Sequence, residues 1–122
     1  MSASPARGRR ILVVEDEFLV AAMLQHFLED HGVTVIGPAY NIDDALTLAR
    51  DATFDAAILD VNVRGIRIDP VAASLTERRI GFALATGYGK EVVAAWADAP
   101  LLAKPYCQAD VERVLERLFP IE

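Results

Sequence analysis

The apolar run ILVV at residues 11–14 leads directly into three consecutive acidic residues, Glu15, Asp16 and Glu17. Four apolar residues in a row predict a strand that is buried on both faces. Three adjacent carboxylates repel one another, and removing any of them from water is costly. The protein must therefore gain something from this acidic cluster that outweighs its cost.

Short apolar runs alternate with helical patterns along the rest of the chain. The runs that predict strands are 11–14, 33–36, 56–59, 80–85 and 101–103. The helix signals between and after them are apolar stripes in 20–28, 42–49, 92–96 and 111–118, and a helix start at Asp69-Pro70. Strands that alternate with helices imply right-handed crossovers onto a parallel sheet. The sequence thus predicts an α/β, doubly wound, five-stranded parallel sheet with helices on both faces.

Composition limits the range of possible functions. A chain of 122 residues is expected to form one domain, here residues 10–122, preceded by a flexible tail at residues 1–9. The net charge of −6 argues against a nucleic-acid partner, whose phosphates this surface would repel. Cys107 is the only cysteine, which favours a reducing cytoplasm over a disulfide framework. No apolar run approaches the ~20 residues that span a bilayer, so no membrane association is expected.

Polar residues cluster at the carboxyl ends of the predicted strands, where parallel sheets bind ligands. The strand ends deliver Glu15 and Asp16, Asp60, Thr86 followed by Gly87, and Lys104 followed by Pro105. Carboxylates without histidine or cysteine neighbours favour a hard cation such as Mg²⁺. Lys104 suits a phosphoryl oxygen, and Asp60 can act as a nucleophile that becomes an aspartyl-phosphate. These are the parts that phosphoryl transfer requires.

The motifs at these strand ends resemble those of the response-regulator receiver domain of bacterial two-component signalling. The matching elements are VVEDE, ILDVN, ATG and KP, and the likeness covers residues 10–119. Asp60 lies 44 residues after Asp16, and Lys104 lies 44 residues after Asp60. The resemblance implies a flavodoxin-like (βα)5 fold with strand order 2-1-3-4-5.

The resemblance also implies a role for each matching residue. Asp60 is expected to be the phosphoacceptor, with Thr86 and Lys104 contacting the phosphoryl group. The Lys104–Pro105 peptide bond is expected to be cis, as it usually is in this family. The implied Mg²⁺ ligands are the carboxylates of Glu15, Asp16 and Asp60 and the backbone carbonyl of Asn62.

Two departures from the family pattern concern the conformational switch. Leu101 stands three residues before the lysine, where receivers usually carry a tyrosine or phenylalanine. Tyr88 follows Thr86 by two residues in the segment LATGYG, which resembles the subgroup called FAT GUY regulators, with Leu84 in place of its phenylalanine. We therefore expect Gly87 and Tyr88 to report phosphorylation in place of an aromatic residue at position 101.

The function implied is that of a stand-alone response regulator, because the chain stops just after the fifth predicted helix. It would accept a phosphoryl group from a histidine kinase or phosphotransfer protein, and then bind a downstream protein or act as a phosphate sink. The downstream protein would bind the face formed by the fourth helix and fifth strand. No catalysis is expected beyond the chain's own phosphoryl transfer and slow autodephosphorylation.

Two alternatives remain open on the sequence. One is a Mg²⁺-dependent phosphohydrolase of the haloacid-dehalogenase type, which usually needs a second acid where this chain has Asn62. The other is a pseudo-receiver that binds partners without being phosphorylated.

Overall fold

The computed structural model describes residues 4–87 and 96–120, which form four helices and seven strands. The strands are β1 (Arg10–Val14), β2 (Thr34–Ala39), β3 (Ala56–Asp60), β4 (Asn62–Val63), β5 (Ile66–Arg67), β6 (Gly81–Thr86) and β7 (Leu101–Ala103). The helices are α1 (Phe18–Asp30), α2 (Ile42–Asp51), α3 (Asp69–Glu77) and α4 (Gln108–Leu118).

Five of the strands form one parallel sheet in the order β2-β1-β3-β6-β7. Without the short β4 and β5, this is the predicted order 2-1-3-4-5. Val14 pairs with Leu59, Leu59 with Leu84, and Thr86 with Ala103. The carboxyl ends of β1, β3, β6 and β7 therefore meet at one edge of the sheet.

The sheet is buried on both faces, and alternate residues of β1 contribute to two different cores. Leu12 and Val14 pack in one core with residues of α2 and α3, whereas Ile11 and Val13 pack in the other with residues of α1 and α4. A strand between two helical layers has no solvent-facing side, so its sequence is continuously apolar. The flavodoxin-like arrangement with helices on both faces is thus present.

One part of the predicted fivefold alternation of strand and helix lies outside the described residues, and the structure adds one further feature. The fourth predicted helix depends on a stripe beginning at Val92 and Val93, and these residues lie outside the described part of the chain. Trp96, the last residue of that stripe, is described and packs edge-on against Phe82 with ring centroids 5.7 Å apart. In addition, β4 and β5 form an antiparallel hairpin that the sequence did not predict.

The segment predicted as a flexible tail is described from residue 4 onward, and there it contacts the domain. Ala6 is fully buried, and the backbone N–H of Gly8 donates to the carbonyl of Gly32 at 2.9 Å. Ser4 Oγ lies 2.9 Å from Nδ1 of His31 at the end of α1. Residues 4–9 are therefore packed on the domain.

A search of the described residues finds no helix that combines the length and apolarity needed to cross a membrane.

The two-sided core predicts a large difference between two leucine substitutions. Leu59 is 0% exposed in the central strand β3, whereas Leu19 on α1 is 80% exposed. Leu59→Ala should lower the free energy of unfolding by about 3 kcal/mol, because it leaves a cavity between close-packed layers. Leu19→Ala should change it by less than about 0.5 kcal/mol. Urea denaturation of both variants tests this, and equal losses would contradict the packing described.

Candidate functional site

The sheet brings the predicted site residues to one edge because each follows or ends a strand. Glu15 and Asp16 follow β1, Asp60 is the last residue of β3, Thr86 is the last residue of β6, and Lys104 follows β7. All of these residues except Glu15 line an open cleft of about 360 Å³. Its lining residues are Asp16, Glu17, Asp60, Val61, Asn62, Thr86, Gly87 and Lys104.

Three carboxylates crowd together at this edge. One oxygen from each of Glu15, Asp16 and Asp60 lies within 4.8 Å of the other two. Glu15 is only 2% exposed and Asp60 only 7%, while Asp16 is half-buried. Such close anions require compensation by cations and hydrogen-bond donors.

Lys104 supplies the positive charge within the cluster. Its Nζ lies 2.8 Å from Glu15 Oε2 and 3.1 Å from Asp60 Oδ2. Burial raises the pKa of Glu15 to about 7, although the hydrogen bond from Lys104 acts in the opposite direction. Burial alone lowers the pKa of Lys104, but its contacts with Glu15 and Asp60 outweigh this effect and the pKa is raised. The lysine therefore remains a cation at neutral pH.

Backbone N–H groups compensate the remaining carboxylate oxygens. Glu17 donates to Oε1 of Glu15 at 3.0 Å, and Asn62 makes a longer contact of 3.4 Å with Oδ1 of Asp60. Each of these carboxylates thus has one oxygen facing Lys104 and the other facing a backbone N–H two residues further along the chain.

Asp16 is held from a different part of the structure. Its Oδ2 accepts a hydrogen bond of 2.8 Å from the backbone N–H of Arg64, in the turn between β4 and β5. Burial raises the pKa of Asp16, but hydrogen bonds from Arg64 and with Glu15 outweigh burial and lower it. Backbone donors carry no signature in the sequence, so the contribution of Arg64 could not be predicted.

The donor set fits the predicted Mg²⁺. The clustered ligand atoms are all carboxylate oxygens, and neither histidine nor cysteine is among the residues that line the cleft. Mg²⁺ takes few protein ligands of this type and retains water in its other positions, which an open cleft permits. Asn62, predicted to contribute its backbone carbonyl, lines the same cleft.

Two of the three predicted switch residues, Gly87 and Leu101, belong to the described part of the chain. Gly87 lines the cleft, whereas Tyr88 lies outside the described residues. Leu101 is 48% exposed and lines a separate groove between β7 and α4. The Lys104–Pro105 peptide bond is cis.

Tyr106 is a neighbour of the site that the sequence did not single out. It is 5% exposed, and its buried hydroxyl has no hydrogen-bond partner in the described part of the chain. Burial raises its pKa, and the charges of Glu15, Asp60 and Glu17 raise it further. The tyrosine therefore stays protonated beneath the acidic cluster. A buried aromatic residue two positions after a site lysine is otherwise indistinguishable from ordinary core in the sequence.

Comparison with known proteins identifies the family. Residues 11–79 match the response regulator receiver domain family. The solution structure of SdrG from Sphingomonas melonis Fr1 is similar, with 42% sequence identity, a TM-score of 0.83, and coverage of 97% of this chain and 98% of that one. The crystal structure of PhyR from Brucella abortus shares the fold, with 24% identity, a TM-score of 0.82, and coverage of 95% of this chain and 50% of that one.

A curated relative extends beyond the region matched. The transcriptional regulatory protein PdtaR of Mycobacterium tuberculosis is 29% identical over 119 residues, which are 93% of this chain and 58% of PdtaR. This chain thus spans little more than half the length of that relative. From the family match, and from the extent of its likeness to SdrG, the chain belongs to the response regulator receiver domain family.

Proposed function

We propose that the chain is a phosphorylatable response regulator that accepts a phosphoryl group on Asp60 from a histidine kinase or a phosphotransfer protein. The observation that carries this proposal is the position of Asp60. Its carboxylate ends the central strand β3, lines an open cleft, and lies 3.1 Å from Lys104 and within 4.8 Å of two further carboxylates. The family membership supports the same role.

The chemistry follows from the groups around Asp60. A carboxylate oxygen of Asp60 forms a bond to phosphorus while the P–N bond of the donor phosphohistidine breaks and its electron pair returns to the imidazole. Lys104 already contacts Asp60 and is a compact charge suited to an incoming phosphoryl oxygen. Thr86, at the end of the adjacent strand β6, offers a hydroxyl to the same cleft.

Magnesium is the proposed cofactor. Glu15, Asp16 and Asp60, with the backbone carbonyl of Asn62, are the residues that would hold it. When bound, Mg²⁺ supplies positive charge to the phosphoryl oxygens during transfer. The one positive charge of Lys104 offsets at most one of the three carboxylates, which favours a divalent cation.

We further propose that the chain has no substrate turnover beyond its own phosphorylation and slow autodephosphorylation. A phosphohydrolase of the alternative type would need an acid two residues after Asp60 to protonate a leaving group. Asn62 occupies that position, and its side-chain Oδ1 accepts a hydrogen bond of 2.9 Å from the backbone N–H of Gly65. The residue therefore stabilises the hairpin turn instead.

Signalling would occur through binding of a downstream protein, with the Thr86-Gly87-Tyr88 segment reporting phosphorylation as in the FAT GUY subgroup. The face proposed for that partner is formed by β7 and the fourth predicted helix, most of which lies outside the described residues. We extend this face to the groove between β7 and α4, which is the fifth predicted helix. Leu101, Arg113 and Arg117 line this groove together with Asp110, which pairs with Arg113, so the groove combines apolar and charged contacts. SdrG has itself been solved in a BeF3-activated conformation.

Phosphorylation should depend on Asp60 alone. Incubation with acetyl phosphate and Mg²⁺ should add the mass of one phosphoryl group, because Asp60 is the carboxylate that lies against Lys104 at the end of β3. Asp60→Asn should abolish the gain, and Asp51→Asn, at an exposed position at the end of α2, should retain it. Intact-protein mass spectrometry makes the comparison, and a gain that survives Asp60→Asn refutes the assignment.

Magnesium should stabilise the folded protein through Asp16. At ten times its Kd, the cation should add about 1.4 kcal/mol of stability and raise the Tm by roughly 5 °C, because it binds only the folded state. Asp16→Ala should remove most of this rise, whereas Asp51→Ala should keep it. Thermal melts with and without MgCl2 provide the test. An unchanged rise in Asp16→Ala would place the cation elsewhere.

Lys104 should compete electrostatically with the divalent cation. Lys104→Ala removes the charge that lies 2.8 Å from Glu15 and 3.1 Å from Asp60, so Mg²⁺ should bind this variant several-fold more tightly. Arg113→Ala, which removes an exposed cation on α4, should leave the affinity near that of the parent. Isothermal titration with MgCl2 measures both. Weaker binding to Lys104→Ala would show that the lysine does not oppose the metal.

A further inference from the structure

Arg64 occupies a backbone conformation that suits glycine better than arginine. It lies in the turn of the β4–β5 hairpin with a φ of 53°, in the left-handed region. Residues with a Cβ adopt this region at an energetic cost. The next residue, Gly65, has a φ of 80°, as expected for such a turn. A favourable interaction of the Arg64 side chain would offset this cost.

That interaction anchors the hairpin to a separate connection of the fold. Nε of Arg64 donates a hydrogen bond of 3.0 Å to the backbone carbonyl of Tyr40, which lies between β2 and α2. The ring of Tyr40 stacks on Phe18 at the start of α1, with centroids 6.0 Å apart. The guanidinium group thus fixes the turn against a segment that α1 also supports.

The same residue presents its backbone N–H to the acidic cluster. This N–H donates to Asp16 Oδ2 at 2.8 Å, across 48 residues of sequence. Glu15 and Asp60 are held by Lys104 and by N–H groups of their own strand ends, whereas Asp16 receives its backbone donor from the hairpin. The orientation of the Asp16 carboxylate therefore depends on where the turn is held.

We propose that Arg64 is a positioning residue for Asp16. Its side chain fixes the hairpin to Tyr40. Its backbone N–H then orients the Asp16 carboxylate toward the cation that Glu15 and Asp60 share. The inference rests on the proposed Mg²⁺ site and deepens it. The lowered pKa of Asp16 agrees with it, because the hydrogen bond from Arg64 helps to outweigh the effect of burial. Groups that orient metal ligands in this way typically contribute 10–100-fold to metal affinity.

Charge and positioning predict opposite effects of removing the guanidinium group. A cation near a divalent metal repels it, so Arg64→Gln should tighten Mg²⁺ binding if charge alone matters. If the side chain positions Asp16, the same substitution should weaken binding. The sign of the change therefore separates the two explanations.

The test is titration of the parent and of four variants with MgCl2 by calorimetry, together with thermal melts without divalent cation. Arg64→Gln should lower the Mg²⁺ affinity about tenfold and leave the metal-free Tm close to that of the parent. Arg64→Lys, which keeps the charge and restores a donor able to reach the Tyr40 carbonyl, should recover part of the affinity. Arg67→Gln is the matched control, since Arg67 lies in β5 of the same hairpin and its Nε contacts Asp69 at the start of α3 at 3.1 Å.

Arg64→Gly guards against a folding defect. Glycine relieves the strained φ and keeps the backbone N–H, so this variant should melt no lower than Arg64→Gln while still binding Mg²⁺ more weakly than the parent. Affinities in Arg64→Gln and Arg64→Gly that equal or exceed the parent's would overturn the inference. A parent that does not bind Mg²⁺ would instead refute the proposed function.

Discussion

The contact of Lys104 with two buried carboxylates is the interaction on which the site depends. Glu15 and Asp60 each direct one oxygen to the lysine, at 2.8 and 3.1 Å, and the other to a backbone N–H. Without these donors, burial and the charge of Asp60 would raise the pKa of Glu15 above its value of about 7. The one charge of Lys104 does not offset all the carboxylates of the cluster, because Asp16 adds a third. This arrangement of charge supports the proposed divalent cation.

The sheet makes this arrangement possible because its strands are parallel and in register. Asp60 pairs with Ala85, immediately before Thr86, and the backbone N–H of Lys104 donates to the carbonyl of Thr86 at 2.9 Å. These pairings bring residues that are distant in sequence to one edge. The cores on the two faces of the sheet fix the strands in place. Bringing the charged groups at the strand ends together therefore costs little additional conformational entropy. Burial of apolar surface thus supports an unfavourable concentration of charge.

The sequence predicted most of this because its signals are strong where strands are continuously apolar and polar residues follow them. It did not predict the β4–β5 hairpin, since its strands have two residues each and show no apolar pattern. The apolar stripe predicted in 20–28 does not match burial in α1 at every position, since Met23 is exposed whereas Ala21 is buried. Small residues carry little hydrophobic signal even when fully buried, which also explains why the packing of Ala6 was not anticipated.

The backbone pairing of β6 and β7 also determines how a change at the cleft can spread. Thr86 and Lys104 both line the cleft, and a hydrogen bond between their backbones joins the two strands there. In the proposed function, a phosphoryl group that contacts both side chains would therefore act on two adjacent strands at once. Leu101 begins β7 and pairs with Leu84, yet its side chain lies in the groove beside α4. An aliphatic side chain has no polar group to exchange between partners, so Leu101 can respond to such a change only through packing.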